Sequence, residues 1–115
     1  MNIERFEGTG RMSRCVKAGG MIFLCGQTDT TAQDVQGQTK NVLAKVEDLL
    51  NKYGSDKQHM LAATIYVKTM DDFAAMNEIW DAWVENGHEP ARACVQAEMA
   101  RPDILVEVVV TACEK

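Results

Sequence analysis

Ile104-Leu105-Val106-Glu107-Val108-Val109-Val110 is the stretch that decides the fold. In an extended strand, successive side chains point to opposite faces of the sheet. Ile104, Val106, Val108 and Val110 therefore share one face, and Leu105 and Val109 lie on the other. Since both faces of this strand are apolar, both need to be covered.

Two helices are predicted upstream of that strand. Apolar residues recur at helical spacing between positions 33 and 53, and Gly54 is a typical stop signal. These apolar residues are Val35, Val42, Leu43, Val46, Leu49, Leu50 and Tyr53. A second helix is predicted to begin at an N-cap, Asp71, and to end at Asn86-Gly87. Its apolar stripe is Phe73, Met76, Trp80, Trp83 and Val84.

The remaining segments favour strands. Residues 14–25 hold two strand-like runs broken at Ala18-Gly19-Gly20, which predicts a hairpin, and residues 61–68 and 92–98 are also strand-like. Arg101-Pro102-Asp103 predicts a turn before the last strand, at 104–112. If the extreme N-terminus adds one more strand, the order is β-β-β-α-β-α-β-β in a single domain, residues 1–115.

This order indicates an α+β fold with both helices on one face of the sheet. Two helices cannot cover both faces, yet the last strand is apolar on both. We therefore expect further copies of the chain to cover the free face.

The charge balance narrows the possible partners. Among 115 residues, 12 Lys and Arg stand against 17 Asp and Glu, which gives a net charge of −5. No block of basic residues provides the positive face of a nucleic-acid binder, and no apolar run is long enough to cross a membrane. The start of the chain lacks the pattern of a secretory signal, so we expect a cytoplasmic protein.

The four cysteines, Cys15, Cys25, Cys94 and Cys113, are scattered along the chain. None has a histidine at zinc-ligand spacing or at a spacing typical of nucleophilic catalysis. We therefore expect free thiols, no metal site and no nucleophilic role for Cys25 or Cys94.

Glu107 interrupts the most hydrophobic run of the chain. Because burial of a lone carboxylate is costly, Glu107 needs a partner, a hydrated pocket or a raised pKa. A carboxylate in a partly apolar pocket is a typical general acid or base. Exposure at a sheet edge and a structural ion pair are the alternatives.

Arg92 and Asn77 also break the pattern. Arg92 lies at the start of a strand, with Cys94 on the same side. It either binds a carboxylate through two parallel hydrogen bonds or is an ordinary surface arginine. A hairpin closed at 101–103 would bring it near Glu107, so these two residues are also a candidate ion pair. Asn77 lies on the apolar stripe of its helix and either ties the helix to the backbone or contacts a ligand.

Five blocks in order resemble the Rid (reactive intermediate deaminase) family, also called the YjgF family. They are Cys25-Gly26-Gln27, Gln38-Thr39, Asp72-Phe73-Ala74 with Asn77-Glu78, Pro90-Ala91-Arg92-Ala93-Cys94-Val95 and Val106-Glu107-Val108. The resemblance runs from about residue 11 to residue 113. Arg11-Met12-Ser13 and Trp80-Asp81-Ala82-Trp83 resemble one particular branch.

This resemblance implies a chorismate-mutase-like fold that assembles as a homotrimer with clefts between subunits. It also implies hydrolysis of 2-enamino and 2-imino acids, such as 2-aminoacrylate, to 2-oxo acids and ammonia. By position, Arg92 holds the substrate carboxylate, and Glu107 orients or activates the attacking water. The residues that line or adjoin the cleft are Cys94, Cys25, Gly26 and Asn77. Because an imine carbon is already electrophilic, no metal or cofactor is expected.

Met12 departs from the family pattern, because many archetypal deaminases have a tyrosine two residues before the position aligned with Arg14. Either Arg11 or Arg14 compensates for the lost phenol, or the cleft favours a bulkier, more apolar imino acid. The alternative function is a non-catalytic trimer that binds small carboxylates or 2-oxo acids through Arg92. An RNA-directed activity, which the labels of some family members suggest, is disfavoured by the acidic balance of the chain.

Overall fold

Six strands and two helices make up the computed structural model, which describes residues 1–115. The strands are β1 (Ile3–Gly8), β2 (Ser13–Ala18), β3 (Met21–Leu24), β4 (Met60–Val67), β5 (Ala91–Gln96) and β6 (Val106–Cys113). The helices are α1 (Val35–Lys52), after β3, and α2 (Phe73–Trp83), after β4. The predicted order and the α+β class are confirmed. No helix is both long and apolar enough to cross a membrane.

The strand order in the sheet is β1-β2-β3-β6-β4-β5. The predicted β2–β3 hairpin is confirmed, and Gly19 and Gly20 close it with φ values of +58° and +79°, which glycine adopts without strain. The last strand, β6, lies between β3 and β4 and is antiparallel to both. The hairpin between β5 and β6, which the turn at 101–103 left open, does not form. Because α2 carries the chain across the sheet, β5 runs parallel to β4 at the edge.

Both helices pack on one face of the sheet, as predicted. The buried side chains on this face include Ile22, Leu24, Ala63, Ile65, Val67, Val106, Val108, Val110 and Ala112. They meet the apolar stripes of the helices, where Val42, Val46, Leu50, Met76 and Trp80 are buried. The predicted division of β6 into two faces is confirmed, because buried and half-buried residues alternate along it.

The opposite face of the sheet carries no helix. Phe23 of β3 and Val95 of β5 are 43% and 46% exposed there. Val109 and Thr111 of β6 are half-buried on the same face. An apolar sheet face of this kind is typical of a surface that another chain covers.

The ends of α2 differ from the prediction. Asp71 is not the N-cap; instead, Oγ1 of Thr69 accepts a hydrogen bond from the Asp71 N–H at 3.2 Å and starts a 3₁₀ turn, Met70–Asp72. The helix ends at Trp83 rather than at Asn86-Gly87, because Val84 is extended. Nζ of Lys57 donates to the Trp83 carbonyl at 2.8 Å and so satisfies an otherwise free acceptor.

A buried carboxylate fixes the loop between β3 and α1. Asp29 is 4% exposed and accepts hydrogen bonds from Oγ1 of Thr31 at 2.8 Å, Nδ2 of Asn41 at 3.1 Å and the Ala32 N–H at 3.2 Å. Burial alone would raise the pKa of Asp29, but these hydrogen bonds outweigh it and lower the pKa from 3.8 to about 2. The charged form is therefore the one that holds the loop.

Asp29→Asn is expected to destabilise the protein at neutral pH by about 1–2 kcal/mol, since a depressed carboxyl pKa stabilises the folded state above the unfolded-state pKa. This contribution is lost as pH falls from about 4 towards 2, so the difference in free energy of unfolding between variant and wild type should shrink over that range. Urea unfolding at pH 7 and at pH 3 measures it. Asp81→Asn, at an exposed position of α2, is the matched control. An equal gap at both pH values would contradict this account of Asp29.

Candidate functional site

Arg92 lies on the edge strand β5, on the face of the sheet that carries the helices. It stands opposite Ala63 of β4, which is buried beneath them. Nη1 of Arg92 donates a hydrogen bond to Oδ1 of Asn77 at 2.8 Å. The guanidinium carbon lies 5.4 Å from the centroid of the Trp80 ring. We refer to Arg92, Asn77, Trp80 and Cys94 as the Arg92 cluster.

The guanidinium of Arg92 retains free donors. A guanidinium has five N–H groups, and Asn77 is the one side chain that accepts from Arg92. None of the ion pairs within the chain involves Arg92. Arg92 can therefore bind a planar anion through two parallel hydrogen bonds. Asn77 does not tie α2 to the backbone, one of its two predicted roles, since its amide oxygen binds Arg92.

Cys94 follows Arg92 on the same face of β5, opposite Ile65 of β4. Burial raises the pKa of the Cys94 thiol, and the positive charge of Arg92 offsets part of that rise. Because the thiolate is the nucleophilic form, a raised pKa keeps Cys94 as a neutral thiol. Cys94 therefore adds a small neutral surface beside the guanidinium.

Glu107 lies on the other face of the sheet, the one without helices. It stands opposite Tyr66 in the register of β4 and β6. Its carboxylate packs over Gly26, where an added Cβ would overlap Oε2 of Glu107 and lie 3.0 Å from Cδ. We refer to Glu107, Gly26 and Cys25 as the Glu107 cluster.

Backbone hydrogen bonds hold this cluster in register. The Gln27 N–H donates to the Val108 carbonyl at 2.9 Å, and the Val108 N–H donates back to Gln27 at 3.1 Å. The side-chain amide of Gln27 also donates to the carbonyl of Cys25 at 3.1 Å and to its Sγ at 3.2 Å. The segment 25–27 is thereby fastened directly beside Glu107.

Glu107 has no ionic partner in the chain. It is half-buried and lines an open hollow of about 310 Å³ together with Tyr66, Glu98, Met99 and Val109. The alternative of exposure at a sheet edge is wrong, because β6 is a central strand. Because the hollow is open, water and small molecules can reach the carboxylate of Glu107.

Gly26→Ala is expected to leave the fold intact but to displace the Glu107 carboxylate, and so to lower any activity that depends on Glu107 about tenfold or more. The flexible end of Glu107 can move aside, which limits the effect on stability. Gly8→Ala is the matched control, because its nearest neighbour would be an ordinary contact at 4.0 Å. Melting temperature and turnover should be measured for both variants. Equal activity in both would show that the Glu107 position does not depend on Gly26.

A cleft of about 450 Å³ lies beside the backbone of Cys25-Gly26. Met12 and Arg14 line this cleft, whereas Arg11 does not. Nε of Arg14 is 3.9 Å from Oε1 of Glu7, which neutralises part of its charge. Of the two arginines considered as substitutes for the missing phenol, Arg14 alone is therefore close to Gly26.

The two clusters lie on opposite faces of the sheet within one chain. Residues paired in register share a face; Arg92 is opposite Ala63, and Glu107 is opposite Tyr66. Ala63 and Tyr66 are an odd number of residues apart on β4, so they face opposite ways. The candidate ion pair between Arg92 and Glu107 is therefore wrong within one chain, because β4 separates their strands and their side chains point apart.

The structure thus divides the six predicted site residues into two groups. Arg92, Cys94 and Asn77 meet on one face, Glu107 and Gly26 meet on the other, and Cys25 directly precedes Gly26 in the chain. The contact of Trp80 with Arg92 was not predicted, although Trp80 lies three residues after Asn77 on the same helix face. Nothing in the sequence pattern indicated that Tyr66 lies opposite Glu107, since that pairing depends on the strand order.

Known proteins share both the sequence and the fold. A family model described as Endoribonuclease L-PSP matches residues 2–114. The RutC family protein YoaB of Escherichia coli strain K12 is 39% identical over 112 residues, 97% of this chain and 98% of that protein. A RutC family protein of Haemophilus influenzae is 37% identical over 114 residues, 97% of this chain and 98% of that protein.

Among solved structures, a member of the YjgF protein family from Neisseria meningitidis is 46% identical. It superimposes with a TM-score of 0.97 over 100% of this chain and 97% of that chain. The sheet with two helices on one face is thus an α+β fold of the YjgF type. The chain belongs to the Endoribonuclease L-PSP family, also called the YjgF or Rid family.

Proposed function

We propose that this protein hydrolyses 2-imino acids, and their 2-enamino tautomers, to 2-oxo acids and ammonia in clefts between the subunits of a homotrimer. Each cleft combines the Arg92 cluster of one subunit with the Glu107 cluster of the next. One observation carries the proposal: Arg92 and Glu107 both lack an ionic partner, yet they lie on opposite faces of one sheet. Only a second chain can bring two such residues together.

The free surfaces of the chain support this arrangement. The face around Glu107 carries apolar residues that no helix covers, including Phe23 and Val95. The Arg92 cluster lies on an edge strand, which has no neighbour on its outer side. In a closed ring, one surface of each subunit packs against a different surface of the next. The edge strand β5 of one subunit can therefore meet the helix-free sheet face of its neighbour at every interface.

Substrate binding begins at Arg92. A 2-imino acid carries a planar carboxylate next to its reactive carbon, and the free N–H groups of Arg92 match that carboxylate. The bond to Asn77 holds the guanidinium against α2. With the carboxylate held in place, the imine carbon is directed towards the Glu107 cluster.

Glu107 transfers the proton from water to the substrate. As the water oxygen bonds to the imine carbon, Glu107 accepts one water proton and passes it to the imine nitrogen, which gives a carbinolamine. The carbinolamine then forms its C=O bond while the C–N bond breaks, and the hydroxyl proton leaves with the nitrogen as ammonia. Atoms balance with one water consumed per imine. An enamine enters the same path after its nitrogen loses a proton and its β-carbon, the far carbon of the C=C bond, gains one, which converts the enamine to the imine.

The remaining residues shape the cleft. Gly26 leaves room for the Glu107 carboxylate. The Cys25-Gly26 segment also lines the cleft that holds Met12 and Arg14. Cys94 contributes a neutral thiol beside Arg92. None of these groups needs to form a bond to the substrate.

A coupled assay tests the proposal. An L-amino-acid oxidase generates the imine in solution, semicarbazide competes for it, and release of 2-oxo acid and ammonia is followed with and without the protein. We expect the protein to accelerate hydrolysis and to reduce the yield of semicarbazone. No acceleration with any of several amino acids, by protein shown to be folded, would overturn the proposed activity.

A non-catalytic trimer that binds small carboxylates is the second candidate. The observation that favours it is that the residues that hold Arg92, Asn77 and Trp80, come from the same chain, so Arg92 does not need Glu107 to present its free donors to a carboxylate. This candidate predicts an increase in melting temperature with 2-oxobutanoate in the absence of any turnover. The assay above and this melting experiment therefore separate the two candidates.

A further inference from the structure

We propose that Trp80 is a positioning residue, which together with Asn77 fixes the plane of the Arg92 guanidinium for a bidentate carboxylate. This inference rests on the proposed function, because it concerns how the same site selects its ligand. It also implies that Trp80 senses whether the site is occupied.

Two contacts with different geometry fix the orientation of the Arg92 guanidinium. Asn77 accepts from Nη1 at 2.8 Å and so fixes one edge of the group within its plane. Trp80 lies against it with the guanidinium carbon 5.4 Å from the ring centroid, within the range of a cation–π interaction. An in-plane bond and an aromatic ring together restrict the rotation of a side chain that is otherwise flexible.

The indole of Trp80 is itself held firmly. Trp80 is only 5% exposed and belongs to the buried core. The ring of Trp83 lies 5.5 Å away, tilted by 50°, and a phenylalanine at position 83 would keep an aromatic ring there. A cation beside a buried ring is less hydrated than one at the surface, and the interaction is correspondingly stronger. Trp80 can therefore act as a fixed platform for Arg92.

A fixed guanidinium plane has a consequence for selectivity. Two parallel N–H groups match the two oxygens of a carboxylate only when the anion approaches within that plane. A lysine ammonium, which lacks a plane, cannot provide the same geometry. The cluster is thus suited to the carboxylate of a 2-imino or 2-oxo acid, with the adjacent carbon held at a defined angle.

Single-tryptophan variants test whether Trp80 senses the ligand. The chain has two tryptophans, so Trp83→Phe leaves Trp80 and Trp80→Phe leaves Trp83. Titration with 2-oxobutanoate should change the fluorescence of the Trp83→Phe protein in a saturable way and leave that of the Trp80→Phe protein unchanged. Absorption of light by the ligand would reduce the fluorescence of both variants equally, so each variant is a matched control for the other. Equal responses would overturn the inference.

Affinity measurements test the positioning role itself. By calorimetry, Trp80→Leu should weaken 2-oxobutanoate binding about tenfold, Trp80→Phe should weaken it less because a ring remains, and Trp83→Phe should not change it. In the imine assay the loss should fall on KM more than on kcat. If Trp80→Leu does not fold, the comparison of Trp80→Phe with Trp83→Phe decides. If Trp80→Leu folds and binds 2-oxobutanoate as tightly as wild type, the positioning role is contradicted. If only Trp80→Phe folds, unchanged affinity in that variant contradicts it.

The outcomes for the two proposals are distinct. Arg92-dependent binding that Trp80 reports, without imine hydrolysis, would support the positioning role and overturn the deaminase. Imine hydrolysis together with unaltered binding in the folded Trp80 variants would support the deaminase and overturn the positioning role. Absence of both binding and hydrolysis in the wild type would overturn both proposals.

Discussion

Arg92→Ala is expected to lower kcat/KM for 2-imino acid hydrolysis about 100-fold or more, mainly through KM. The substitution removes the charged donors for the substrate carboxylate, and a lost charge-assisted bidentate contact typically costs a few kcal/mol. Arg92 makes no ion pair within the chain, so its loss removes only the hydrogen bond to Asn77 and the contact with Trp80, and the free energy of unfolding should fall by only about 1–2 kcal/mol. Steady-state kinetics and urea unfolding measure the two effects.

Arg92→Lys distinguishes charge from geometry. Lysine keeps the positive charge but has no planar pair of donors, so it should recover only a small part of the activity. Full recovery with lysine would contradict the bidentate role of Arg92. Arg101→Ala, which breaks an exposed pair with Asp103 at 2.8 Å, controls for the loss of a surface arginine.

Glu107→Gln is expected to lower kcat about 100- to 10,000-fold with little change in KM, since general acid–base groups contribute rate enhancements of that order. Glutamine has the same shape but cannot accept the water proton. Because Glu107 is half-buried without an ionic partner, the variant should fold as well as wild type.

Glu4→Gln provides the control for Glu107→Gln, because Glu4 lies exposed on β1, at the opposite edge of the sheet from β5. It should retain wild-type kcat. A Glu107→Gln protein that also retains wild-type kcat would show that the carboxylate only fills space. A loss confined to KM would indicate that Glu107 binds substrate rather than transferring a proton.

Local patterns in the sequence predicted most of the fold. The alternation of Val106, Val108 and Val110 with Leu105 and Val109 indicated a strand with two apolar faces. The spacing of Val42, Val46 and Leu50 indicated the long helix. Both signals depend on neighbouring residues, because burial on one face imposes a period on the sequence. The free face of the sheet followed from the ratio of helices to strands.

The neighbours of each strand could not be predicted in the same way. Arg92 and Glu107 were candidates for an ion pair because the turn at 101–103 suggested a hairpin. In the structure the chain passes that turn and places β6 on the far side of β4. Strand order depends on packing between segments far apart in sequence, and no local pattern records it.

The same limit applies to the candidate site. Arg92, Glu107 and Asn77 stood out because each is polar in an apolar context, which a single sequence reveals. The contact of Trp80 with Arg92 did not stand out, because a tryptophan on an apolar stripe is what a core requires. That contact depends on Arg92 of β5 reaching α2, which is a property of the folded chain.

Mixing two inactive variants tests the central claim that each site is shared between subunits. Arg92→Ala retains Glu107, and Glu107→Gln retains Arg92, so a cleft between the two variants can contain both intact residues. With equal amounts and random association around a closed ring, about a quarter of the clefts are intact. Co-expression with two affinity tags, followed by the imine assay, should therefore restore about a quarter of wild-type activity. If the mixed oligomers form and remain as inactive as either variant alone, the shared site is contradicted.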